Sequence, residues 1–277
     1  LGAMRSEGSA LLSYLLFDGN WARRGRDWQE DALYALIRRH QADAIIVNNS
    51  SVGALGAAGH PEVDVRTFEQ GQPGRERHPG SRATAREMCD TIGSHWGLAR
   101  DDLSQQSPGA VIRKLVACRA VGANYLLNVG PEADGTLAAY DAALLEVVGR
   151  WTSLCPDALT LARPTDLVCR GADGVVRLGS TYFYFAHDLE IHENAHLAHG
   201  EGSGLRTVLG DLPPVWRITW MDTGEDLAFT QTRVGAEAPS GPGRQPLGER
   251  SLLAFHATPW PYGHQRVVRV ARIDSAT

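Results

Sequence analysis

Two carboxylates, Asp18 and Glu69, stand where short apolar runs give way to turns, and so do the amides of Asn48, Asn49 and Asn128 and the indole of Trp21. In parallel α/β folds the carboxyl ends of the strands carry the functional side chains. Carboxylates, amides and an indole on one rim are what carbohydrate chemistry uses. The carboxylates act as nucleophile and acid, the amides bond sugar hydroxyls, and indole faces stack on sugar C–H surfaces. The same residues also fit plain turn chemistry, with Asp18 and Asn20 as turn formers and Asn49 as a loop cap.

A second constellation is His192-Glu193-Asn194-Ala195-His196, a literal H-E-x-x-H with His199 three residues on. On a helix it would put two imidazoles on one face for zinc, with Glu193 as general base, and the chain would be a zinc peptidase. The context argues against it. The run follows the strand-like TYFYFAHDLEI and leads into GEGSG, which does not sustain a helix. PEADG (131–135) lacks the spaced acidic ligands of a calcium loop and reads as a turn. No metal and no cofactor is expected.

The elements that would position the first set alternate between strand and helix. LLSYLLF (11–17), DAIIVNN (43–49), DVRTF (64–68) and NYLLNVG (124–130) read as strands. Residues 27–40 read as a helix with Trp28, Leu33, Leu36 and Ile37 on one face and Arg38, Arg39 and His40 in its last turn. Residues 108–122 run from Pro108 to a stop at Gly122, and 137–153 form a further helix. This rhythm argues for a parallel sheet covered by helices. From about residue 165 it changes to strand-like runs separated by Gly/Pro-rich turns, a small antiparallel β domain. The division is expected as 1–162 and 163–277.

The net charge of −5, with no basic cluster, gives no footprint for nucleic acid or an anionic membrane. No run approaches the roughly 18 apolar residues of a membrane span. LGAMRSEGSA lacks the charged-then-apolar pattern of a secretory leader, which leans toward the cytoplasm without fixing a compartment. Cys89, Cys118, Cys155 and Cys169 are too sparse for a disulfide scaffold and read as buried thiols.

YLLFDGNW (14–21), DVRTFEQ (64–70), EMCDTIGSHWG (87–97) and NYLLNVGPEADGTL (124–137) resemble, in order, motifs of glycoside hydrolase family 29, the α-L-fucosidases. RITWMDTGEDLAF (217–229) and VVRVARI (267–273) resemble that family's C-terminal β-sandwich. The resemblance implies a TIM-like (β/α) barrel followed by a small antiparallel β-sandwich. It implies retaining hydrolysis of α-L-fucosyl linkages in a fucosylated glycan, with Asp18 as nucleophile and Glu69 as acid/base. Glu62 and Glu76 are the competing acids. Trp21, Asn48, Asn49 and Trp96 would contact the sugar. The sequence departs from the family at Leu16, Ser50 and Arg86. A full barrel takes about 250 residues, and only about 160 precede the β domain, so its first strands are expected to be absent. A non-catalytic, sugar-binding remnant is then the alternative, and the chain is expected to self-associate or to need a complementing N-terminal part.

Overall fold

The computed structural model describes residues 5–6, 9–10, 12–23, 25–50, 52–57, 59–74, 84–192, 204–235 and 250–277. The chain forms two compact units. One comprises Leu1–Gln105 with Val121–Ala138, the other Gln106–Ala120 with Ala139–Thr277.

The first unit is built on one parallel sheet. Its strands are β1 (Tyr14–Phe17), β2 (Ile45–Asn48), β3 (Val65–Glu69), β4 (Ala85–Thr91) and β5 (Asn124–Asn128), paired in that order. Helix α1 (Glu30–His40) joins β1 to β2. Its Tyr34 and Ile37 pack with Ala44, Ile46 and Val63, backed by Leu15 and Phe17. The buried stripe is therefore centred on Tyr34 and Ile37, whereas Trp28 and Leu36 are exposed. Trp28 precedes the helix start and does not share its periodicity. Among the described residues, no helix joins β2 to β3 or β3 to β4, so the alternation is less regular than the sequence suggests.

Side chains of alternate strand residues point to opposite faces. Leu15, Phe17 and Ile46 face α1. On the other face stand Tyr14, Leu16, Val47, Thr67, Glu87, Cys89 and Leu126. The Tyr14 hydroxyl donates to Glu87 Oε1 at 2.8 Å, and Asn124 Nδ2 donates to Glu87 Oε2 at 2.6 Å. Tyr14 lies on β1, three strands away from β4. Three strand spacings in a flat sheet amount to about 14 Å, and side chains there stand roughly perpendicular to it. A direct bond between these two side chains requires the sheet to curl, so that β1 and β4 lean together. The parallel sheet is thus a curled half-barrel.

The second unit holds two antiparallel sheets. Its strands are β6 (Arg163–Pro164), β7 (Val168–Cys169), β8 (Gly174–Leu178), β9 (Thr181–His187), β10 (Gly204–Gly210), β11 (Val215–Trp220), β12 (Phe229–Val234), β13 (Arg250–Ala257) and β14 (Val268–Ser275). One sheet runs β11-β14-β9-β8-β6 and the other β12-β13-β10-β7. Tyr184 and Ile273 of the first share a core with Val208 and Phe255 of the second. The Tyr184 and Phe255 rings meet edge to face at 5.0 Å.

Arg269 is 1% exposed and lies over Trp220 and Trp260, with its carbon centre 4.3 and 5.1 Å from their rings. Its Nε donates to both oxygens of Asp222 at 3.1 Å. A buried charge so paired keeps its neighbours in one arrangement.

The packing does not divide at 162/163. Helices α2 (Pro108–Val121), α3 (Ala139–Thr152) and α4 (Pro156–Thr160) lie before that boundary. Yet Ile112, Val116, Trp151 and Leu159 belong to one core with Val176, Phe183 and Val270 of the antiparallel sheet. An apolar helix face goes where apolar partners are, and here these belong to the second unit. All four cysteines are free; Cys118 and Cys155 are buried, Cys89 and Cys169 partly so. Among the described residues, no helix is long and apolar enough to cross a membrane.

Tyr14→Phe removes a hydrogen bond to a charged group in a partly exposed setting. It is expected to cost about 1.5 kcal/mol in urea denaturation and to raise hydrogen exchange in β1 and β4. An unchanged midpoint and unchanged exchange would contradict the role given to this bond.

Candidate active site

The curl leaves a cleft of about 520 Å³ on the concave face of the first unit. It is lined by Leu16, Asp18, Asn49, Thr67, Cys89, Trp96 and the segment 126–129. Asp18 directly follows β1. Its Oδ1 accepts from Gly19 N at 2.7 Å and from Trp21 Nε1 at 3.0 Å, so that oxygen is held by two donors. Gly19 has φ +86°, a conformation that suits glycine in this sharp turn. Trp21 does not line the cleft; it orients Asp18.

The neighbouring Asn48 and Asn49 part company. Asn49 lines the cleft and donates through Nδ2 to Glu69 Oε2 at 2.9 Å. Asn48 is buried on the other face, beside the Tyr34 phenol. Strand alternation permits only one of two adjacent amides to face the concave side. Glu69, at the end of β3, does not itself line the cleft and reaches it through Asn49. The competing acid Glu62 bonds Arg38 Nε at 3.0 Å, within a network that also holds Asp64 at 2.7 Å. Its position is that of a structural ion pair. Glu76 lies outside the described residues.

Cys89 is paired in register with Glu69 on the neighbouring strand. Burial first, then the charges of Glu87, Glu69, Asp18 and Asp90, push its thiol up to about 11. The thiol therefore stays protonated at neutral pH, and both candidate carboxylates lie within electrostatic reach of one atom. Glu87, 3% exposed and bonded as described above, is a concave-face carboxylate that the sequence analysis did not single out. Its only signal is the alternation Glu87, Cys89, Thr91 within a run too polar to read as a buried strand. Thr67, also missed, is buried at the cleft, and its hydroxyl has no hydrogen-bond partner among the described residues.

Trp96 is 40% exposed and lines the cleft from the loop after β4. Asn128 Nδ2 donates to Trp96 O at 2.7 Å and to Thr91 Oγ1 at 3.1 Å. Asp102 fastens the same loop, accepting from Ser94 N at 2.7 Å, Ser94 Oγ at 2.8 Å and Ser104 N at 2.8 Å. These donors, the Ser104 and Ser94 amides foremost, hold the Asp102 carboxyl down at about 2. Gly130 completes the seat. A Cβ there would overlap the Leu98 backbone nitrogen and the Gly97 carbonyl carbon.

The turn at PEADG is confirmed by the bonds Gly135 N to Glu132 O and Thr136 N to Asp134 Oδ1. At His192 the backbone pairs in a short parallel bridge with Pro261, whereas zinc binding would need a helix starting there. Residues 193–203 lie outside the described set. Among the described residues, no group of three or more His, Cys, Asp or Glu could hold a metal ion.

A family model described as alpha-L-fucosidase matches residues 12–155. The bovine (Bos taurus) tissue alpha-L-fucosidase is 37% identical over 83 residues, covering 28% of this chain and 17% of that protein. The human (Homo sapiens) one is 36% identical over the same length, with the same coverage. Among solved structures, alpha-L-fucosidase isoenzyme 1 from Paenibacillus thiaminolyticus aligns with a TM-score of 0.68 at 22% identity, covering 98% of this chain and 59% of its own. An alpha-L-fucosidase from Vibrio sp. strain EJY3 aligns at 0.69 and 17% identity, covering 99% and 43%. The chain thus spans less than a fifth of the curated relatives' length in those matches, and about half of the solved structures.

Gly130→Ala is expected to unseat the loop bearing Trp96, shifting its fluorescence and raising hydrogen exchange across 93–104. Unaltered exchange would contradict the close approach. The Asp102 clasp has a defined pH sense. Its folded-state pKa lies below the ordinary value of about 3.9, so its stabilisation is complete above that value and lost as pH falls toward about 2. Asp102→Asn should abolish this acid-side loosening of 93–104, as read by exchange between pH 2 and 5.

Proposed function

This chain belongs to the α-L-fucosidase family, and we propose that its concave cleft hydrolyses terminal α-L-fucosyl linkages with retention. The observation that carries the reading is the pair of strand-end carboxylates. Asp18 is in the cleft with one oxygen fixed by Trp21 and Gly19, and Glu69 is bound to the cleft residue Asn49.

In the proposed reaction Asp18 attacks the anomeric carbon while Glu69 gives its proton to the departing glycosidic oxygen. Water then attacks the fucosyl–aspartate ester, and Glu69 takes that water's proton as the Asp18 carboxylate leaves. Retention by this route sets the carboxyl groups about 5–5.5 Å apart when engaged. Trp96 offers an indole face for the sugar ring and methyl group, and the Thr67 hydroxyl a bond to a sugar hydroxyl. Trp21 acts through Asp18 as a positioning residue. Asn48, on the other face, has no proposed contact with the sugar. The antiparallel unit is proposed as the family's C-terminal β-sandwich.

The concave face also exposes Tyr14, Leu16, Ile45 and Leu126. Exposed apolar side chains clustered on one sheet face call for a covering wall. We propose that further barrel strands, in cis or as a second chain, supply it and complete the fucose pocket. Until they do, the chain is expected to associate or to bind a hydrophobic dye and to turn over little fucoside. Light scattering and a nitrophenyl fucoside assay, with and without added barrel strands, test this. A compact, dye-negative monomer hydrolysing the fucoside unaided would contradict it.

Asp18→Ala in the completed barrel should lower turnover by several orders of magnitude with the fold retained. Azide should restore part of the activity and yield β-fucosyl azide. Wild-type turnover in the variant would remove Asp18 from the mechanism. Glu69→Gln should slow substrates with poor leaving groups far more than activated aryl fucosides, which need no proton. Equal losses on both would assign Glu69 a structural role.

A further inference from the structure

A second cavity of about 520 Å³ lies wholly within the other unit. Its floor is apolar, with Ile112 of α2, Trp151 of α3 and Val267. Its polar groups are Arg150, Arg266 and Gln265, and among the described residues no carboxylate lines it. Neither guanidinium has an ion-pair or hydrogen-bond partner among the described residues. Two unpaired guanidinium groups on one small cavity repel each other and are stabilised by a shared anion. The cationic character is local, because the chain as a whole carries a net charge of −5.

The backbone adds a second, independent sign. Val267 has φ +67°, a left-handed conformation that costs a β-branched residue free energy. Val268 N donates to Arg266 O across it at 2.8 Å, closing a tight turn. The buried Trp151 Nε1 donates to Val268 O at 2.8 Å and pins that turn to α3. The packing of α2 is equally close. A Cβ on Gly109 would stand 3.1 Å from Val267 Cγ2. The strained turn thus holds Arg266 on the same cavity as Arg150.

We infer that this cavity is a binding site for an oxyanion carried on a compact ring, such as a uronic acid or a sulfated sugar. The two arginines grip the anionic group, Gln265 bonds a hydroxyl, and Trp151 with Val267 receives the ring face. The site is separate from the carboxylate cleft and does not depend on its reading.

Titration calorimetry with glucuronate, glucose 6-sulfate, glucose and sodium sulfate tests it on the intact chain. Saturable binding of one or both anionic sugars is expected, weakening with added sodium chloride, with none for glucose. Arg150→Gln and Arg266→Gln should each weaken it about tenfold or more, and the double variant should abolish it. Which anionic sugar binds more tightly separates a carboxylate from a sulfate site. Both side chains lack partners among the described residues, so the variants should keep the wild-type thermal unfolding profile. Anionic sugars binding no better than glucose would overturn the proposal, as would undiminished binding in the folded double variant. Free sulfate binding as tightly as the sulfated sugar would overturn the role given to the ring.

Discussion

One buried carboxylate shapes the parallel sheet. Glu87 on β4 accepts from Tyr14 of β1 and Asn124 of β5, the two edge strands. A charge taken out of water must find donors, and Tyr14, three strands away, can reach it only if the sheet bends toward its concave face. That bend turns five strand ends inward, so that Asp18, Asn49, Thr67, Cys89 and Asn128 border one cleft. Burial of the Tyr14 phenol, then its hydrogen bond to Glu87 and the charge there, raise its pKa, which keeps that donor protonated at any physiological pH.

The cleft gathers negative charge. Its most telling group is the Cys89 thiol, lifted by burial and by four surrounding carboxylates. Such a site suits a reaction in which positive charge develops on a sugar ring, as in an oxocarbenium-like transition state. Around it, rigidity comes from short polar bonds rather than from long helices. Trp21 fixes Asp18, Asn49 fixes Glu69, and Asn128 with Asp102 fixes the loop that presents Trp96.

Much of this was legible in the sequence because apolar periodicity marks elements buried on ordinary terms. Strands β1, β2, β3 and β5 and helices α1 to α3 lie where the apolar runs place them. Strand β4 does not announce itself, since Arg86, Glu87 and Asp90 give its seven residues three charges. Its partners lie on other strands, Tyr14 being 73 residues away and Tyr125, which bonds Asp90, 35. No local pattern reveals that these charges are satisfied. The choice between Asn48 and Asn49 likewise depends on which face of β2 meets α1, a matter of tertiary packing. Strands β10 and β13 are likewise hard to see locally. The first is bounded by glycines and the second follows a Gly/Pro-rich stretch, and each is completed by pairing with the other. Helices α2 and α3 were placed correctly along the chain but assigned to the wrong partner, because amphipathicity shows that a face is buried and not what buries it.

The account stands or falls on whether Asp18 is the atom donor to the sugar. A 2-deoxy-2-fluoro-fucosyl fluoride forms its glycosyl-enzyme faster than water can remove it, so the covalent intermediate accumulates. Peptide mapping by mass spectrometry of the completed barrel treated with this reagent should place the added sugar on Asp18, in the segment YLLFDGNW. A label on Glu69, Glu87 or any other residue would contradict the account, as would turnover of the fucoside with Asp18 unlabelled.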